Sequence, residues 1–231
     1  MKKVLITGAT SGIGYATLKE LVNKYEVIFT YHHNEEKALE ITSKYHIKGY
    51  YFDLGDKESI EKLVDSIDNI DILINNAAIC LDNSFEDKTY MEFSKVVNVN
   101  LTGTYYLTKL LSKKINNGGN ILFISSTNGI DTYYIESIDY DASKAGVISL
   151  MHNFANQLAP IRVNAIAPGW VDTEMNASLS DKFKKKEEEH ILLKRFASPE
   201  EISKVINFVV SDDASYINDT VIRVDGGVNN G

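Results

Sequence analysis

A tyrosine and a lysine four residues apart could act as a proton-transfer pair, and the sequence contains this spacing three times. On a helix it places the phenol and the ammonium on one face, one turn apart. The three pairs are Tyr15–Lys19, Tyr105–Lys109 and Tyr140–Lys144. With 13 tyrosines and 24 lysines and arginines in 231 residues, chance alone accounts for such a pair. Structural context must therefore select the pair that does chemistry.

A nearby cation could bring a tyrosine phenol into the range where it exchanges protons near neutral pH. The pKa of a free tyrosine is about 10, and lowering it by one unit requires about 1.4 kcal/mol of stabilisation of the phenolate. A near-neutral pKa therefore requires roughly 4 kcal/mol of such stabilisation. An ammonium about 4 Å away supplies on the order of 4 kcal/mol at an effective dielectric constant near 20. Lys144 is therefore sufficient in principle to lower the pKa of Tyr140.

The elements that must position these side chains alternate between short apolar runs and longer amphipathic segments. The runs predict strands at 4–7, 27–30, 50–53, 71–75, 120–125, 161–167 and 220–224. Most are apolar without strict alternation, which is typical of strands buried on both faces of a parallel sheet. Helical patterns such as 12–24 and 56–67 lie between them. The sequence predicts one doubly wound, Rossmann-type α/β domain over residues 1–231, with a seven-stranded parallel sheet flanked by helices.

Composition limits the class of protein. A net charge of −8 argues against a nucleic-acid-binding or anionic membrane surface. No apolar run approaches the roughly 20 residues that span a bilayer, and the first strand begins too early for a signal peptide. Cys80, the single cysteine, is interpreted as a packed small side chain, and the histidines show no metal-ligand spacing. We expect a cytoplasmic protein that binds no metal, no membrane and no nucleic acid.

Polar or small residues follow strand after strand, at the edge where open parallel sheets bind ligands. The first strand is followed by the glycine-rich turn TGATSGIG (7–14), which could bring backbone close to a pyrophosphate at a helix N-terminus. The later strands are followed by Asp53-Leu54, NNAA (75–78), SSTNG (125–129) and PGWVDT (168–173). Each segment alone is typical of a turn, but together they predict a ligand cleft.

These motifs occur in the order found in short-chain dehydrogenases/reductases, and the resemblance runs from residue 3 to the closing RVDGG (223–227). Within that family the chain is most similar to 3-oxoacyl-[acyl-carrier-protein] reductases. The resemblance implies hydride transfer between a nicotinamide cofactor and a ketone carbon. It also implies a homotetramer built through the helix of residues 100–114 and through the last helix and strand.

The resemblance assigns catalytic roles to four residues and thereby selects one of the three tyrosine–lysine pairs. Tyr140 would protonate the carbonyl oxygen as general acid, and Lys144 would also hold the nicotinamide ribose. Ser126 would stabilise the developing charge on that oxygen, with Ser125 as its competitor. Asn100 would hold a water in the proton relay. Its alternative role is a local hydrogen bond within a helix.

The cofactor residues implied by the resemblance follow the strand ends. They are Gly8, Thr10, Ser11, Gly12, Ile13, Gly14, Tyr31, His32, Asp53, Leu54, Asn76, Ala77, Ala78, Tyr140, Lys144, Pro168, Gly169, Val171 and Thr173. NADP is favoured over NAD because the second strand ends in Tyr31 and is followed by His32 and His33, without a carboxylate for the ribose 2′-hydroxyl. Asn34 is predicted to cap the next helix. NAD remains possible because Ser11 stands where many NADP-dependent relatives carry Arg or Lys.

Some segments depart from the relatives and leave the substrate open. The loop at 130–140 differs from that of acyl-carrier-protein reductases, and Tyr133, Tyr134 and Ile135 could line a substrate pocket or be exposed. A polar segment around 172–197 is predicted as a substrate lid. Asp219 stands where a glycine is common in relatives, so the sequence does not determine the conformation of the turn before the last strand.

The leading hypothesis is reduction of a small or acyl-carrier-protein-bound ketone. A generalist alcohol or sugar dehydrogenase or carbonyl reductase is the main alternative within the same fold. An S-adenosylmethionine methyltransferase would leave Ser126, Tyr140 and Lys144 without a purpose, and a non-catalytic dinucleotide sensor would have no need to retain all four catalytic positions.

Overall fold

The computed structural model describes residues 1–177 and 179–228 and contains a seven-stranded parallel sheet. Ser178 of the predicted lid and residues 229–231 of the predicted domain lie outside the described residues. The strand order is β3-β2-β1-β4-β5-β6-β7. The strands are β1 (Lys3–Ile6), β2 (Glu26–Tyr31), β3 (Lys48–Tyr51), β4 (Ile70–Asn75), β5 (Ile115–Ile124), β6 (Arg162–Pro168) and β7 (Val221–Val224).

Helices connect the strands on both sides of the sheet. They are α1 (Gly12–Leu21), α2 (Glu35–Tyr45), α3 (Lys57–Ser66), α4 (Tyr90–Val97), α5 (Thr104–Leu111), α6 (Ile138–Gln157), α7 (Asp181–His190) and α8 (Pro199–Val210). Asn34 caps α2 by accepting a hydrogen bond from Lys37 N, at 3.1 Å, as its sequence position predicts. The last connection places α7 within the segment 172–197, which is predicted as a substrate lid.

Alternating strand residues build two hydrophobic cores, one on each face of the sheet. Leu5 and Phe123 pack with side chains of α3, α5 and α6 on one face. Ile6 and Ile74 pack with side chains of α1, α2 and α8 on the other. Because both faces are covered, the strands carry apolar residues on both sides, which explains the missing alternation in the sequence.

The strand order reverses between β1 and β4, and this reversal creates the crevice in which doubly wound sheets bind ligands. Asn76 closes the crevice at its base. Its Nδ2 donates to Thr7 O and Gly8 O, both at 2.9 Å. The predicted fold is therefore confirmed, and the glycine-rich turn and the NNAA motif meet where the order reverses.

Three boundaries differ from the sequence predictions for physical reasons. The third strand ends at Tyr51, not at 53, because Asp53 leaves the ladder: its N–H donates to Ser59 Oγ, at 2.9 Å, and its carboxylate accepts from Gly55 N. The fifth strand begins at 115, not at 120, with a register irregularity against β4. The single helix expected for 100–114 is divided into a π-helix (Asn98–Gly103), α5 and a short 3-10 helix.

Asp219 preserves the turn for which relatives commonly use glycine. Its φ is +57°, in the left-handed region that Asp tolerates better than most residues. His152 Nδ1 lies 2.6 Å from Asp219 Oδ1. Among the residues that the structure describes, no helix is long and apolar enough to cross a membrane.

Candidate active site

All three tyrosine–lysine pairs adopt the same local geometry, so the spacing alone does not identify a site. The lysine Nζ lies 5.0 Å from the ring centroid of Tyr15, 5.7 Å from that of Tyr105 and 5.4 Å from that of Tyr140. Their surroundings differ. Tyr15 lies on α1, and Tyr105 is 39% exposed on α5, whereas Tyr140 lies in the first turn of α6 and lines a cavity.

The cavity beside Tyr140 has a volume of about 620 Å³, which is the size of a small-molecule site. Ser126, Thr127 and Asn128 line it at the carboxyl end of β5, and Gly169 and Trp170 line it at the end of β6. The strand-edge prediction therefore located one wall of the cavity. The opposite wall comes from Glu187, His190 and Ile191, at the end of α7.

Burial sets the protonation of the central pair, and here the structure differs from the expectation for Tyr140. Burial of the phenol raises the Tyr140 pKa well above its usual value, and a hydrogen bond with Ser126 only partly opposes this. Burial also lowers the pKa of Lys144 to about 8. Lys144 Nζ donates to Ile124 O, at 2.8 Å. Tyr140 is thus held as a protonated phenol, the form that donates a proton.

The two serines after β5 have different environments. Ser125 Oγ is buried and donates to Lys144 O, at 3.0 Å. Ser126 Oγ lines the cavity, hydrogen-bonds with the Tyr140 phenol and accepts from Asn128 N, at 3.2 Å. Only Ser126 is therefore placed to contact a ligand beside Tyr140.

Asn100 lies in the π-helix, a helix type often found at functional sites. The alternative role required a local hydrogen bond within the helix, but the side chain bonds to residues far away in sequence. Nδ2 donates to Ile79 O at 2.8 Å and to Ser143 Oγ at 3.1 Å, and Oδ1 accepts from Ile79 N at 2.8 Å. Ser143 Oγ in turn donates to Tyr140 O, at 2.7 Å. Asn100 therefore connects the segment after β4 to the first turn of α6.

The glycine-rich turn fits the backbone of a dinucleotide. Gly8 has a φ of +67°, and a Cβ there would lie 3.0 Å from Ala77 Cα. A Cβ on Gly14 would lie 2.2 Å from Gly8 O, so α1 can approach the turn this closely only with glycine. These positions are occupied by glycine because the strand, the turn and the helix pack without space for side chains.

An anion from the chain itself lies at the N-terminus of α1. Glu174 Oε2 accepts a hydrogen bond from Gly12 N, at 2.9 Å, and Ser11 provides no side-chain cap. The carboxylate is a stand-in for the phosphate that a helix N-terminus favours. Thr173 Cγ2 also approaches Gly12, within 3.3 Å of the position of a Cβ. The residues present therefore fit a dinucleotide pyrophosphate.

The end of β2 brings two histidines and one carboxylate together. The His32 and His33 rings are 3.9 Å apart, and His32 Nε2 lies 3.5 Å from Asp53 Oδ2. The residues directly after β2, His32 and His33, carry no carboxylate. Asp53 instead reaches this position from the segment after β3.

The remaining predicted cofactor residues differ in burial. Leu54 and Val171 are buried in the hydrophobic cores, and Ile13 and Ala77 are partly buried against them. Thr10, Ser11, Ala78, Pro168 and Gly169 lie at strand ends or in the loops that follow them. Tyr31 packs partly against the core and meets the Tyr51 ring edge-on, at 6.1 Å, so its ring is not free.

An aromatic cluster docks α7 beside the cavity. Tyr134 packs edge-on against Trp170 and Phe183, with ring centroids 5.8 and 5.5 Å apart, and Trp170 stacks on Phe196 at 5.4 Å. Trp170 Nε1 also donates to Glu187, at 3.2 Å. Tyr133 and Tyr134 both line the cavity, but Tyr133 is 85% exposed, so both interpretations apply to it. Ile135 is 83% exposed and is not among the lining residues.

Sequence reasoning missed several cavity residues. Cys80 is not simply packed: it lines the cavity, and its thiol donates to Asp82 Oδ1, at 2.9 Å. Burial raises its pKa, so the thiol stays protonated. Cys80 and Asp82 follow β4, so they could have been predicted from the rule that ligands bind beyond the carboxyl ends of parallel strands. Glu187 and His190 belong to a polar helix far along the chain and carried no comparable pattern.

Comparison with known proteins agrees with this geometry. The family model described as enoyl-(acyl carrier protein) reductase matches residues 8–229. A 3-oxoacyl-[acyl-carrier-protein] reductase of Aquifex aeolicus is 39% identical over 98% of this chain and 97% of its own.

Two solved structures show the same fold over nearly the whole chain. A short-chain dehydrogenase of Burkholderia cenocepacia in complex with NADP is 26% identical, with a TM-score of 0.93, over 98% of this chain and 97% of its own. A 4-hydroxyisoleucine dehydrogenase complexed with NADH is 28% identical, with a TM-score of 0.93, over 100% of both chains. The chain therefore belongs to the short-chain dehydrogenase/reductase family of oxidoreductases.

Proposed function

We propose that this protein reduces a ketone to a secondary alcohol with NADPH, that NADH is a weaker alternative, and that Tyr140 is the proton donor. The observation that carries the proposal is the shared position of Ser126 and Tyr140 at one cavity, with the Lys144 ammonium beside the Tyr140 ring. As a carbonyl oxygen gains negative charge during reduction, a protonated phenol can give it a proton and a neighbouring hydroxyl can donate a hydrogen bond to it.

The bound nicotinamide would supply the hydride, and the side chains of this chain would supply the proton and stabilise the developing charge. Ser126 donates a hydrogen bond to the carbonyl oxygen and stabilises its developing charge. Tyr140 gives its proton to the same oxygen. Lys144 keeps a positive charge near the phenol as it becomes anionic and holds the nicotinamide ribose, and Asn100 holds a water that returns the proton.

The cofactor would lie along the crevice between β1 and β4. Gly8, Gly12 and Gly14 would receive the pyrophosphate at the N-terminus of α1. His32 would approach the adenosine ribose, where a 2′-phosphate distinguishes NADPH from NADH. Support comes from the stand-in Glu174 carboxylate at Gly12 N and from the family relatives with NADP and NADH.

A 3-oxoacyl-[acyl-carrier-protein] is the favoured substrate because the full-length relative at 39% identity is a reductase of that class. The alternative is a generalist alcohol or sugar dehydrogenase or carbonyl reductase. It is favoured by the polar residues of the divergent 130–140 loop in the cavity and by the likeness to a 4-hydroxyisoleucine dehydrogenase. The segment 172–197 would act as the lid, with α7 closing over the substrate.

The test of this proposal is a substrate screen that follows NADPH and NADH consumption. It should include acetoacetyl thioesters, simple diketones and sugars. Turnover of a thioester but not of sugars would support the acyl substrate, and the reverse would support the alternative. Cofactor binding without turnover of any carbonyl compound would favour a non-catalytic sensor.

The serine assignment predicts a clear difference between two neighbouring substitutions. Ser126→Ala should lower kcat about 10²- to 10³-fold, because one donor to the developing oxyanion is lost. Ser125→Ala should lower it much less, since Ser125 bonds the helix backbone at Lys144. Steady-state kinetics of both variants checks this, and the opposite ranking would move the oxyanion contact by one residue.

The cofactor assignment predicts that His32 contributes to the preference for NADPH. Its Nε2 lies 3.5 Å from Asp53 Oδ2, after the end of β2, where a ribose 2′-phosphate would lie. His32→Phe should lower the ratio of kcat/KM for NADPH to that for NADH, because a hydrogen-bonding group for the phosphate is lost. His46→Phe, on the far end of α2, is the matched control. A preference of the parent protein for NADH would overturn the assignment.

The proposal also includes a cytoplasmic homotetramer. Apolar side chains remain exposed on the elements that the family resemblance assigns to contacts between copies: Tyr105 on α5, and Phe208 on α8. Their exposure in the single chain supports burial against a second copy.

A further inference from the structure

We propose that Lys88 and Asp139 are positioning residues that fix the Tyr140 phenol against the facing cavity wall. Lys88 Nζ lies 3.0 Å from Asp139 Oδ2, and their side chains are only 5% and 0% exposed. The other ion pairs in the part of the chain that the structure describes are considerably more exposed. The inference rests on the proposed ketone reduction, because it concerns the position of the proton donor.

Each partner is tied to a different part of the site. Asp139 directly precedes Tyr140 in the first turn of α6, and its Oδ1 accepts from Tyr140 N, at 2.9 Å. Lys88 lies before α4, and its Nζ also donates to Leu81 O. Leu81 stands between Cys80 and Asp82, both of which line the cavity. The ion pair therefore connects the start of the catalytic helix to the wall that follows β4.

A second contact shows that the two loops meet independently of the ion pair. Asn83 N donates to Glu136 O, at 3.0 Å. This backbone bond keeps the loops adjacent but acts on residues further from the phenol. The ion pair acts on the turn that carries Tyr140 itself, on the side opposite in sequence to the contacts of Asn100 and Ser143.

The chemistry of a buried ion pair favours positioning over stability. Removing two charges from water is so unfavourable that replacing a buried pair by uncharged residues often leaves stability unchanged, whereas removing one partner is strongly destabilising. A pair with this burial therefore adds little to the free energy of unfolding that uncharged side chains of similar size could not provide. It does impose one orientation, because the ammonium must meet both the Asp139 carboxylate and Leu81 O.

Proton donation depends steeply on such an orientation. A displacement of about 1 Å of a reacting group can lower turnover about 10²-fold. The pair bonds to Leu81 O and Tyr140 N, whereas the glycine-rich turn that would hold the pyrophosphate follows β1, so we expect cofactor binding to stay close to that of the parent protein. Loss of the pair should therefore lower kcat and leave KM for NADPH unaltered.

The test compares Lys88→Met, Asp139→Asn and the double variant with the parent protein. Each single variant leaves one buried charge unpaired and should be less stable. The double variant should regain that stability, because neither charge remains. Its kcat should nevertheless stay about tenfold or more below that of the parent, with KM for NADPH within about twofold. Lys19→Met is the matched control, since Lys19 also forms an ion pair with a carboxylate far away in sequence, Glu200, but at the surface.

The outcomes separate this inference from the proposed function. A double variant with parental stability and parental kcat would overturn the positioning role, because the pair would then be purely structural. A rise in KM for NADPH that accounts for the whole loss of kcat/KM would also overturn it. A parent protein that binds NADPH but reduces no ketone would overturn the proposed function and this inference with it.

Discussion

Tyr140→Phe is expected to lose nearly all ketone reduction while it binds NADPH as tightly as the parent protein. The substitution keeps the ring, which lines the cavity beside Ser126, and removes only the proton and its oxygen. Loss of a positioned general acid lowers turnover by about 10² to 10⁴. Burial raises the Tyr140 pKa in the free chain, so the phenol should remain a competent donor throughout the neutral range. Single-turnover kinetics and a separate binding titration measure the two effects.

The other two tyrosine–lysine pairs are the natural controls for this prediction. Tyr15→Phe and Tyr105→Phe should each retain most activity, although Lys19 and Lys109 lie as close to their rings as Lys144 lies to Tyr140. Equal losses in all three variants would mean that the phenols stabilise the fold and do not donate the proton. Parental turnover in Tyr140→Phe would remove Tyr140 from the mechanism.

Lys144→Met is expected to inactivate the enzyme and at the same time stabilise the cofactor-free protein. Turnover should fall at least about 10²-fold, because no cation remains beside the developing phenolate. Burial lowers the Lys144 pKa from 10.5 to about 8, and this difference corresponds to a cost of about 3 kcal/mol for keeping the ammonium inside the folded protein. The lost hydrogen bond to Ile124 O offsets about 1 kcal/mol of the gain. The net stabilisation near pH 7 should be about 2 kcal/mol, or about 5 °C in Tm.

The pH dependence of this stabilisation has a definite sign. Between about pH 8 and 10.5 the unfolded parent chain holds the Lys144 proton and the folded chain has released it. The stability of the parent therefore rises with pH across this window, and the advantage of Lys144→Met should shrink there and disappear above it. Chemical denaturation of both proteins at several pH values measures this. A variant that is less stable than the parent at pH 7 would show that the buried ammonium contributes to the fold.

The same ammonium should shape the activity of the parent enzyme. Since Lys144 loses its proton as pH rises through about 8, ketone reduction should decline in that range even though the Tyr140 phenol is still protonated. The alkaline limb of the rate profile therefore reports Lys144, not Tyr140.

Much of the architecture could be predicted from sequence because burial on both faces of a parallel sheet leaves a simple pattern. Runs such as VLIT (4–7) and DILIN (71–75) predicted β1 and β4 to within a residue. The residues after each strand predicted the ligand edge, since parallel strands bring their carboxyl ends together. Ser126 and Tyr140 at the cavity, and the glycine-rich turn against Asn76, follow from that rule.

What the sequence could not provide depends on contacts between distant segments. The start of β5 was missed because the segment 115–119 contains NNGG, which is typical of a turn, while pairing with β4 extends the strand through it. The raised pKa of Tyr140 could not be predicted, because it is caused chiefly by burial of the phenol, which sequence spacing does not reveal. The Lys88–Asp139 pair joins residues 51 apart in sequence, and α7 lies at the cavity through its contacts with Trp170, an aromatic contact of Phe183 and a hydrogen bond to Glu187.

Ketone reduction with Tyr140 as the proton donor is tested most directly by following the transferred hydride in the parent protein and in Tyr140→Phe. The purified protein is mixed with NADPH that carries deuterium at both positions of the nicotinamide C4 and with an acetoacetyl thioester, and the product is analysed by mass spectrometry and NMR. We expect one deuterium on the carbinol carbon per NADPH consumed in the parent protein, and no product above background with Tyr140→Phe under conditions where that variant binds NADPH. Reduction of a carbon–carbon double bond but of no carbonyl compound would show that the protein is not a ketone reductase, and equal product from the parent and Tyr140→Phe would show that Tyr140 is not the proton donor.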